Sequence, residues 1–436
     1  MSARDHVDSL LAIIKEAAHS ALDEYEKYGT PTPTLDSLDS HPLDIADDKL
    51  KLKKIVSKLE GACDQLCTIL APPSHTIMNR SQDFGWACLR VAVRQKFADE
   101  LAKHPDGLHV DALSKKVGVH PMKLASILRV LAAKHCFREV SPDTFANNRL
   151  SINLISDHSV SALVDFITEE GQRSALALSD YVVDPQFGQS LSMSETVFQY
   201  RNRDEGLQGL TFYQWLQLSV MMKAMVSMNS VIGSLTALHV YSWSSLQSVC
   251  DVGSGMGGFS RSLLKMCPSI HVTQFDLPET LALAKQHWKD DFAGRVTFVE
   301  GDFFDKIPVQ NCDLYYLRNI LHNWTDEKAL IILKSVREAM GPHSRTLVHD
   351  HVLRHMFPTS GSSTDGLDMA PKPMLPNYGA GQIRLYHQDL TMMMSYNTRE
   401  RTTTEMINIG KEAGLRVLKV FDLAEMCLVE FEVAEK

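Results

Sequence analysis

Long apolar runs are missing from this chain. Nowhere in its 436 residues does a stretch approach the roughly 18 apolar residues of a membrane span. The opening MSARDHVDSLLAIIKEAA alternates charge with hydrophobe at helical spacing, so it lacks the uninterrupted apolar core of a secretory signal. Clustered cysteine is missing too. The eight cysteines are scattered, only Cys63 and Cys67 lie close together, and no Cys/His group has the spacing of a zinc site. The expectation is reduced thiols in a cytoplasmic protein without a metal or a membrane anchor. An excess of basic charge is absent as well: the formal net charge is −9, which argues against a molecule built as a whole to attract nucleic acid or anionic lipid. What is present is 44% hydrophobic and 22% charged residues, enough apolar material for a good core and enough length for two or three domains.

Along the chain the pattern divides at about residues 80 and 240. In 1–80, an amphipathic helix over 5–27 is followed by the Pro/Ser/Asp stretch TPTPTLDSLDSHPLD, a linker or a loop laid on the surface, and helical periodicity resumes from Leu50 to about Leu70. In 81–240, Trp86 to Ile155 runs helix, short helix, helix, extended pair, the order of a winged helix. Its basic residues Arg90, Arg94, Lys96, Lys115, Lys116, Lys123 and Arg129 are interleaved with acids, and Ala and Leu dominate the third helix. That composition favours packing or dimerisation over DNA binding. Residues 158–240 read as mostly helical, with Met221, Met225 and Met228 on one face as a core stripe. In 241–436, short β-branched runs alternate with helical patterns, which predicts a Rossmann-like, mostly parallel sheet with a final antiparallel pair. The Pro/Gly/Ser-rich insertion Phe357–Gln382 reads as a mobile loop, in the place of a lid.

The most informative segment is DVGSGMGG, residues 251–258. It follows a strand and opens a helix, where glycines allow a ligand to approach the helix N-terminus. Gly253, Gly255 and Gly258 satisfy the dinucleotide pattern G-x-G-x-x-G, which alone would point to NAD. Asp251 argues otherwise: beside the ligand-binding turn it would repel a pyrophosphate and suit a cation. The ammonium of S-adenosylmethionine is such a cation. The next strand ends in Asp276-Leu277-Pro278, where a carboxylate can accept from both ribose hydroxyls. The third ends near Asp302 and Phe303, suited to an adenine amino group and ring face. Each acid alone could be a helix cap; three at three successive strand ends make a nucleoside site.

These motifs, with FDLPE, GDFF and LRNILHNWTDE in order, make the chain resemble the plant-type S-adenosylmethionine-dependent O-methyltransferases and their fungal relatives, the caffeate, flavonoid and hydroxyindole group. The likeness covers the C-terminal half, extends to the winged-helix segment, and fades over the first 80 residues. It implies a seven-stranded class I methyltransferase domain, a helical N-terminal dimerisation domain and a homodimer. It implies a cofactor site of Asp251, Gly253, Gly255, Gly258, Asp276, Leu277, Asp302, Phe303 and Arg318, although Arg318 read alone is equally a surface charge. From the residues alone, His322 is either a base facing the cofactor cleft or a packed histidine beside a helix start. The resemblance makes it the catalytic base, oriented by Asp350 and Glu400. Asp350 stands where the family usually has Glu, so its reach is shorter. Nearby Glu405 fits a capping box with Thr402. For the aromatic substrate the resemblance points to Met393 and Asn397, with Met392 and Met394 alongside, and more loosely to Met225 and Asn229, near Met222 and Ser230; for the methionines, packing in the core is an equal reading.

The expected function is methyl transfer to a phenolic hydroxyl. A phenol has pKa near 10 and histidine near 6.5, so assisted proton removal is feasible. A nitrogen or carbon acceptor is the alternative reading, since an amine needs no strong base. A non-catalytic cofactor-binding or winged-helix regulator is another, opposed by the intact glycine loop and His322.

Overall fold

The computed structural model describes residues 2–203, 210–218, 233–288, 292, 294–357 and 366–435. The first helix, Ala3–Glu26, starts on a capping box of Ser2 and Asp5 and buries Leu10, Ile13 and Ala17 against the helix Leu50–Leu70. The Pro/Ser/Asp stretch between them is laid on the surface: the Leu35 carbonyl accepts from the Arg149 N–H at 2.9 Å, and Asp44 pairs with the Arg149 guanidinium.

Residues 85–155 form helices Gly85–Arg94, Phe97–Ala102, Val110–Val117 and Pro121–Ala133. Three short strands complete the unit, β1 (Leu108–His109), β2 (Arg138–Ser141) and β3 (Thr144–Ala146), in the order β1-β3-β2, all antiparallel. Phe97, Leu113, Leu124, Leu128 and Phe145 fill its core. Several of its basic side chains face carboxylates of the same chain: Arg90 pairs with Glu169, Arg94 with Asp165 and Arg129 with Asp143.

The C-terminal region carries a seven-stranded sheet. Its strands are β4 (Ser248–Val252), β5 (His271–Asp276), β6 (Val296–Glu300), β7 (Leu314–Arg318), β8 (Arg345–Asp350), β11 (Leu415–Asp422) and β12 (Cys427–Val433). Their order is β11-β12-β8-β7-β4-β5-β6. The pairings from β8 through β6 are parallel and those of β12 with β8 and β11 are antiparallel. Helices cover both faces, so the inner strands are buried on both sides and read as near-continuous apolar runs. Leu317, Val348 and Phe431 pack on one face with the helices Asp326–Ala339 and Thr403–Glu412. Trp243, Phe259, Val272 and Tyr316 pack on the other. Strand order reverses at β4, flanked by β5 on one side and β7 on the other; ligands of such sheets bind in the crevice outside the strand C-termini at that point. A separate parallel pair joins β9 (Val352–Leu353) to β10 (Arg401–Thr402). It brings the residues just before each strand, Asp350–His351 and Glu400, to the same edge.

The segment expected to be a mobile loop differs in its described part. Residues 358–365 lie outside the described residues, but 366–382 are fixed against the N-terminal helices. Ala370 and Met374 are buried in one cluster with Leu10, Ile13 and Ala62. A side chain at Gly381 would meet the Ser57 carbonyl, and the Gln382 amide donates to Ser57 Oγ at 3.3 Å. Apolar residues hidden among prolines and glycines carry this packing, which the loop composition masks. The first 80 residues therefore rest on the C-terminal region instead of trailing from it. Among the described residues no helix is long and apolar enough to cross a membrane.

Candidate active site

His322 does not end a strand. β7 stops at Arg318, and His322 lies four residues on, in the 3-10 turn Leu321–Asn323 that leads to Thr325, the N-cap of the helix Asp326–Ala339. The turn is held from a distant segment. Arg401, itself 2% exposed, donates to the carbonyls of Leu321 at 2.7 Å and Trp324 at 2.6 Å and to Asp326 Oδ1 at 2.8 Å. Thr398 Oγ1 donates to the His322 carbonyl at 2.7 Å. The Leu321 carbonyl also accepts from the Trp324 N–H at 3.1 Å, so these side-chain donors add to the turn's own backbone bond and supply the partners of the His322 and Trp324 carbonyls. Neither residue was singled out in the sequence; a charged residue beside Glu400 gives no sign of being buried.

The imidazole is buried, with Nδ1 2.8 Å from Glu400 Oε1. The Glu400 N–H in turn donates to Asp389 Oδ1 at 2.8 Å. Burial works against a charged imidazole, but the Glu400 carboxylate, with Asp350 behind it, outweighs burial and holds His322 up at about 9. For Glu400, burial pushes the carboxyl upward, and the facing imidazole more than reverses it, so its pKa is lowered. With Nδ1–H given to Glu400, the Nε2 of the neutral ring is the atom left for a substrate proton.

Asp350 is brought to the same place without touching the ring. It is fully buried at the end of β8, and neither of its oxygens has a hydrogen-bond partner among the described residues. Burial raises its pKa. The expectation that two acids orient His322 therefore reduces, in direct contacts, to Glu400. Asp350 acts on the ring through its field.

At the other side of the crevice the glycine loop runs from β4 into the helix Gly258–Met266. A Cβ at Gly255 or Gly258 would meet nothing within 4 Å, whereas one at Gly253 would strike Ile320 and one at Gly257 would strike Trp288 and Gln274. Gly255 and Gly258 thus open onto the space a ligand can enter, and Gly253 closes on the loop before His322. Gly257, at φ 70°, is the glycine the pattern missed: it lets the loop seat against Trp288, whose indole N–H donates to the Met256 carbonyl at 2.9 Å.

Asp251 is buried, accepts from Ser260 Oγ and lies in the field of Arg318. Burial pushes its carboxyl up to about 6, against both of those partners. Arg318 is thereby placed at the site: its guanidinium sits 5.6 Å from the Phe259 ring, at the end of β7. Asp276, at the end of β5, accepts from the Gly255 N–H at 2.7 Å and the Leu277 N–H at 2.8 Å, one per oxygen. A carboxylate has about four lone-pair sites, so both oxygens keep capacity for a diol. Asp302 Oδ1 accepts from the Phe304 N–H at 2.8 Å. Phe303 approaches the Gly253 position and stands edge-on to Phe304 and Trp324. The buried Ser254 Oγ and Asn319 Oδ1 have no partner in the chain as described. An open glycine cradle, acids at neighbouring strand ends and orphaned polar atoms fit a nucleoside that also carries an ammonium group.

Of the residues expected to contact the substrate, Met225 and Asn229, with Met222 and Ser230, lie outside the described residues. Met393 lines a cavity of about 310 Å³ with Tyr181, Leu191 and Trp324. Met392 packs with Phe166, Phe198 and Phe212, and Met394 with Tyr181 and Val197, as core. Asn397, expected as a substrate contact, lines the same cavity as Met393. It caps the helix Ile383–Tyr396 at φ 53°. Its amide donates to the carbonyls of Ser190, Ser192 and Glu195, and its carbonyl oxygen accepts from Tyr181 at 2.8 Å. Those bonds also pin the 190–195 segment, whose Ser190 and Leu191 line the cavity too.

Comparison with known proteins agrees with this architecture. Residues 178–416 match the model of the O-methyltransferase domain family. The chain is 38% identical over 446 residues to 3-O-methyltransferase 2 of Phanerochaete chrysosporium, covering 98% of this chain and 97% of that one. Among solved structures it is similar to an O-methyltransferase from neocarzinostatin biosynthesis in complex with S-adenosylmethionine and 2-hydroxy-5-methyl naphthoic acid (TM-score 0.61, 23% identity, 81% of this chain and 98% of that one). It is also similar to a pericyclic reaction enzyme (TM-score 0.67, 18% identity, 98% of this chain and 100% of that one). Likeness at such identities shows the fold alone, and the fold serves more than one chemistry. The family match and the full-length relative decide the matter: the chain belongs to the S-adenosylmethionine-dependent O-methyltransferases.

Proposed function

We propose that the protein methylates a hydroxyl of a small phenolic acceptor with His322 as general base, and that the observation carrying this is the buried His322–Glu400 hydrogen bond beside the glycine cradle. S-adenosylmethionine, when bound, supplies an electrophilic methyl carbon on a sulfonium sulfur. Asp276 and Asp302 would accept from its ribose and adenine, Leu277 and Phe303 would cover the ring, and Asp251, with Arg318 behind it, would face the ammonium end. As the oxygen takes the methyl and the methyl–sulfur bond breaks to leave S-adenosylhomocysteine, His322 Nε2 would take the phenolic proton, while the Glu400 carboxylate accepts from Nδ1–H and stabilises the imidazolium formed. A base held at about 9 nearly matches a phenol of pKa about 10, so the transfer is close to balanced. The fraction of His322 left neutral near pH 7 is correspondingly small. Alignment of oxygen, methyl and sulfur is the other large contribution. The naphthoic acid ligand of the neocarzinostatin enzyme supports a flat hydroxylated ring as acceptor, and Met393 with Trp324 offers a pliant apolar surface for one.

The reading extends to a cytoplasmic homodimer in which the β1–β3 unit is a winged helix used for dimerisation. Its support is the order of helices and strands and the intrachain pairing of its basic residues; sedimentation of the purified protein tests it. The activity is tested by S-adenosylhomocysteine release over catechols, flavonoids and hydroxyindoles, with wild type and His322→Ala in parallel. Turnover on phenols that falls by about 100-fold or more in the mutant is expected. Turnover that survives His322→Ala overturns the base, and cofactor binding without turnover on any phenol overturns the acceptor class.

A further inference from the structure

A second histidine stands behind the first. His351, between β8 and β9, is buried with its ring 6.4 Å from that of His322 and only 15° from parallel. Its orientation is fixed from the far side: Nδ1 lies 2.8 Å from the backbone carbonyl of Glu425, in the β11–β12 turn, so Nδ1–H donates there. The Glu425 carboxylate is buried and held by two cations, Arg384 at 2.6 Å and Lys53 at 3.4 Å. Lys53 belongs to the helix Leu50–Leu70 of the N-terminal extension. Arg384 belongs to the helix Ile383–Tyr396 that also carries Asp389, the acceptor of the Glu400 N–H. One turn thus contacts His351 directly and, through Arg384, the helix whose Asp389 holds the Glu400 N–H.

We propose that His351 is a positioning residue for His322, and that the Lys53–Glu425–Arg384 cluster sets its place, which makes the N-terminal extension part of the scaffold of the active site. The inference rests on His322 being the base. The physical argument is one of shape and stiffness. An imidazole hydrogen-bonded to a single carboxylate oxygen through Nδ1 is still free to rock about that bond, and Nε2 swings with it. A flat, anchored ring parallel to it removes that motion. Asp350, which makes no hydrogen bond to the imidazole, cannot supply the restraint. The charged and titratable groups facing the two rings include Glu400, Asp350, Arg401, Glu425 and His349, the last bonded to Tyr316. Each is fixed by a hydrogen bond on another element except Asp350, so the stacked ring is the remaining control on tilt.

The test is steady-state kinetics on the full chain with His351→Ala, Lys53→Met, Lys53→Arg and the double variant His351→Ala/Lys53→Met, with cofactor affinity and Tm measured alongside. His351→Ala is expected to lower kcat by about 10-fold, the scale of a modest misplacement of a catalytic group, with KM and cofactor Kd within about 2-fold of wild type. Lys53→Met should lower kcat by about 3-fold, Lys53→Arg should restore it, and Lys53→Met should add nothing once His351 is gone, since residues acting through one path are not additive. Wild-type kcat in a folded His351→Ala, or effects of the two sites that multiply, would overturn the proposal. Should His351→Ala not fold, the Lys53 pair decides alone: equal kcat in Met and Arg variants overturns it. Failure of the inference is separable from failure of the base assignment, because the latter shows as activity in His322→Ala.

Discussion

The two halves of the crevice are built differently. The cofactor half comes from a short stretch of chain: the glycine loop, Asp276 and Asp302 all lie within residues 251–302, at the ends of the adjacent parallel strands β4, β5 and β6. Parallel pairing places them with no further help. The base half is assembled over long separations. His322 meets Glu400 across 78 positions, and Arg401 reaches back 80 positions to the Leu321 carbonyl. One half is a property of the sheet; the other depends on a few buried polar contacts, each of which can be removed singly.

Substitutions at three positions break or sharpen that contrast. The largest effect is expected from Arg401→Met, which strips buried partners from the Leu321 and Trp324 carbonyls. It should lower stability by about 3 kcal/mol, read by denaturant unfolding, and kcat by about 100-fold. Arg401→Lys should not restore either, because an ammonium cannot serve three acceptors spread around a planar fork. Next is Asp276→Asn, which should weaken cofactor binding by about 10-fold, the scale of one charge-assisted hydrogen bond, with kcat at saturating cofactor nearly unchanged; calorimetry and initial rates check this together. The smallest is Asp350→Asn. With no hydrogen bond to His322, it should change kcat near pH 7 by about 3-fold or less, through the lost field alone. A large loss there would mean that Asp350 contacts the imidazole or the substrate during turnover.

The same division explains what could be read from the sequence. The cofactor half was legible because its motifs are local, and the alternation of β-branched and helical segments gave the parallel sheet and the final antiparallel pair. Glu405 and Thr402 form the expected capping box, again a local rule. The residues proposed for the base half were named only through the resemblance, and their geometry was not legible. The turn that lifts His322 off β7, the reach of Asp350, and the commitment of Asn397 to the Ser190–Glu195 carbonyls all depend on distant segments. Residues 366–382 were misread for a related reason. Loop composition reports on backbone freedom, not on the buried Ala370 and Met374 that tie the segment to the extension.

The most direct test of the account is the pH dependence of kcat/KM for one phenol, in wild type and Glu400→Gln. His322 must be neutral to act, and Glu400 raises its pKa, so wild-type kcat/KM should climb with pH and level off above about 9. Removing the carboxylate charge lowers the pKa of the imidazole, so the limb should move to lower pH in Glu400→Gln while the plateau falls. A limb at the same pH in both proteins would mean that it belongs to the phenol or another group, and that His322 paired to Glu400 is not the base.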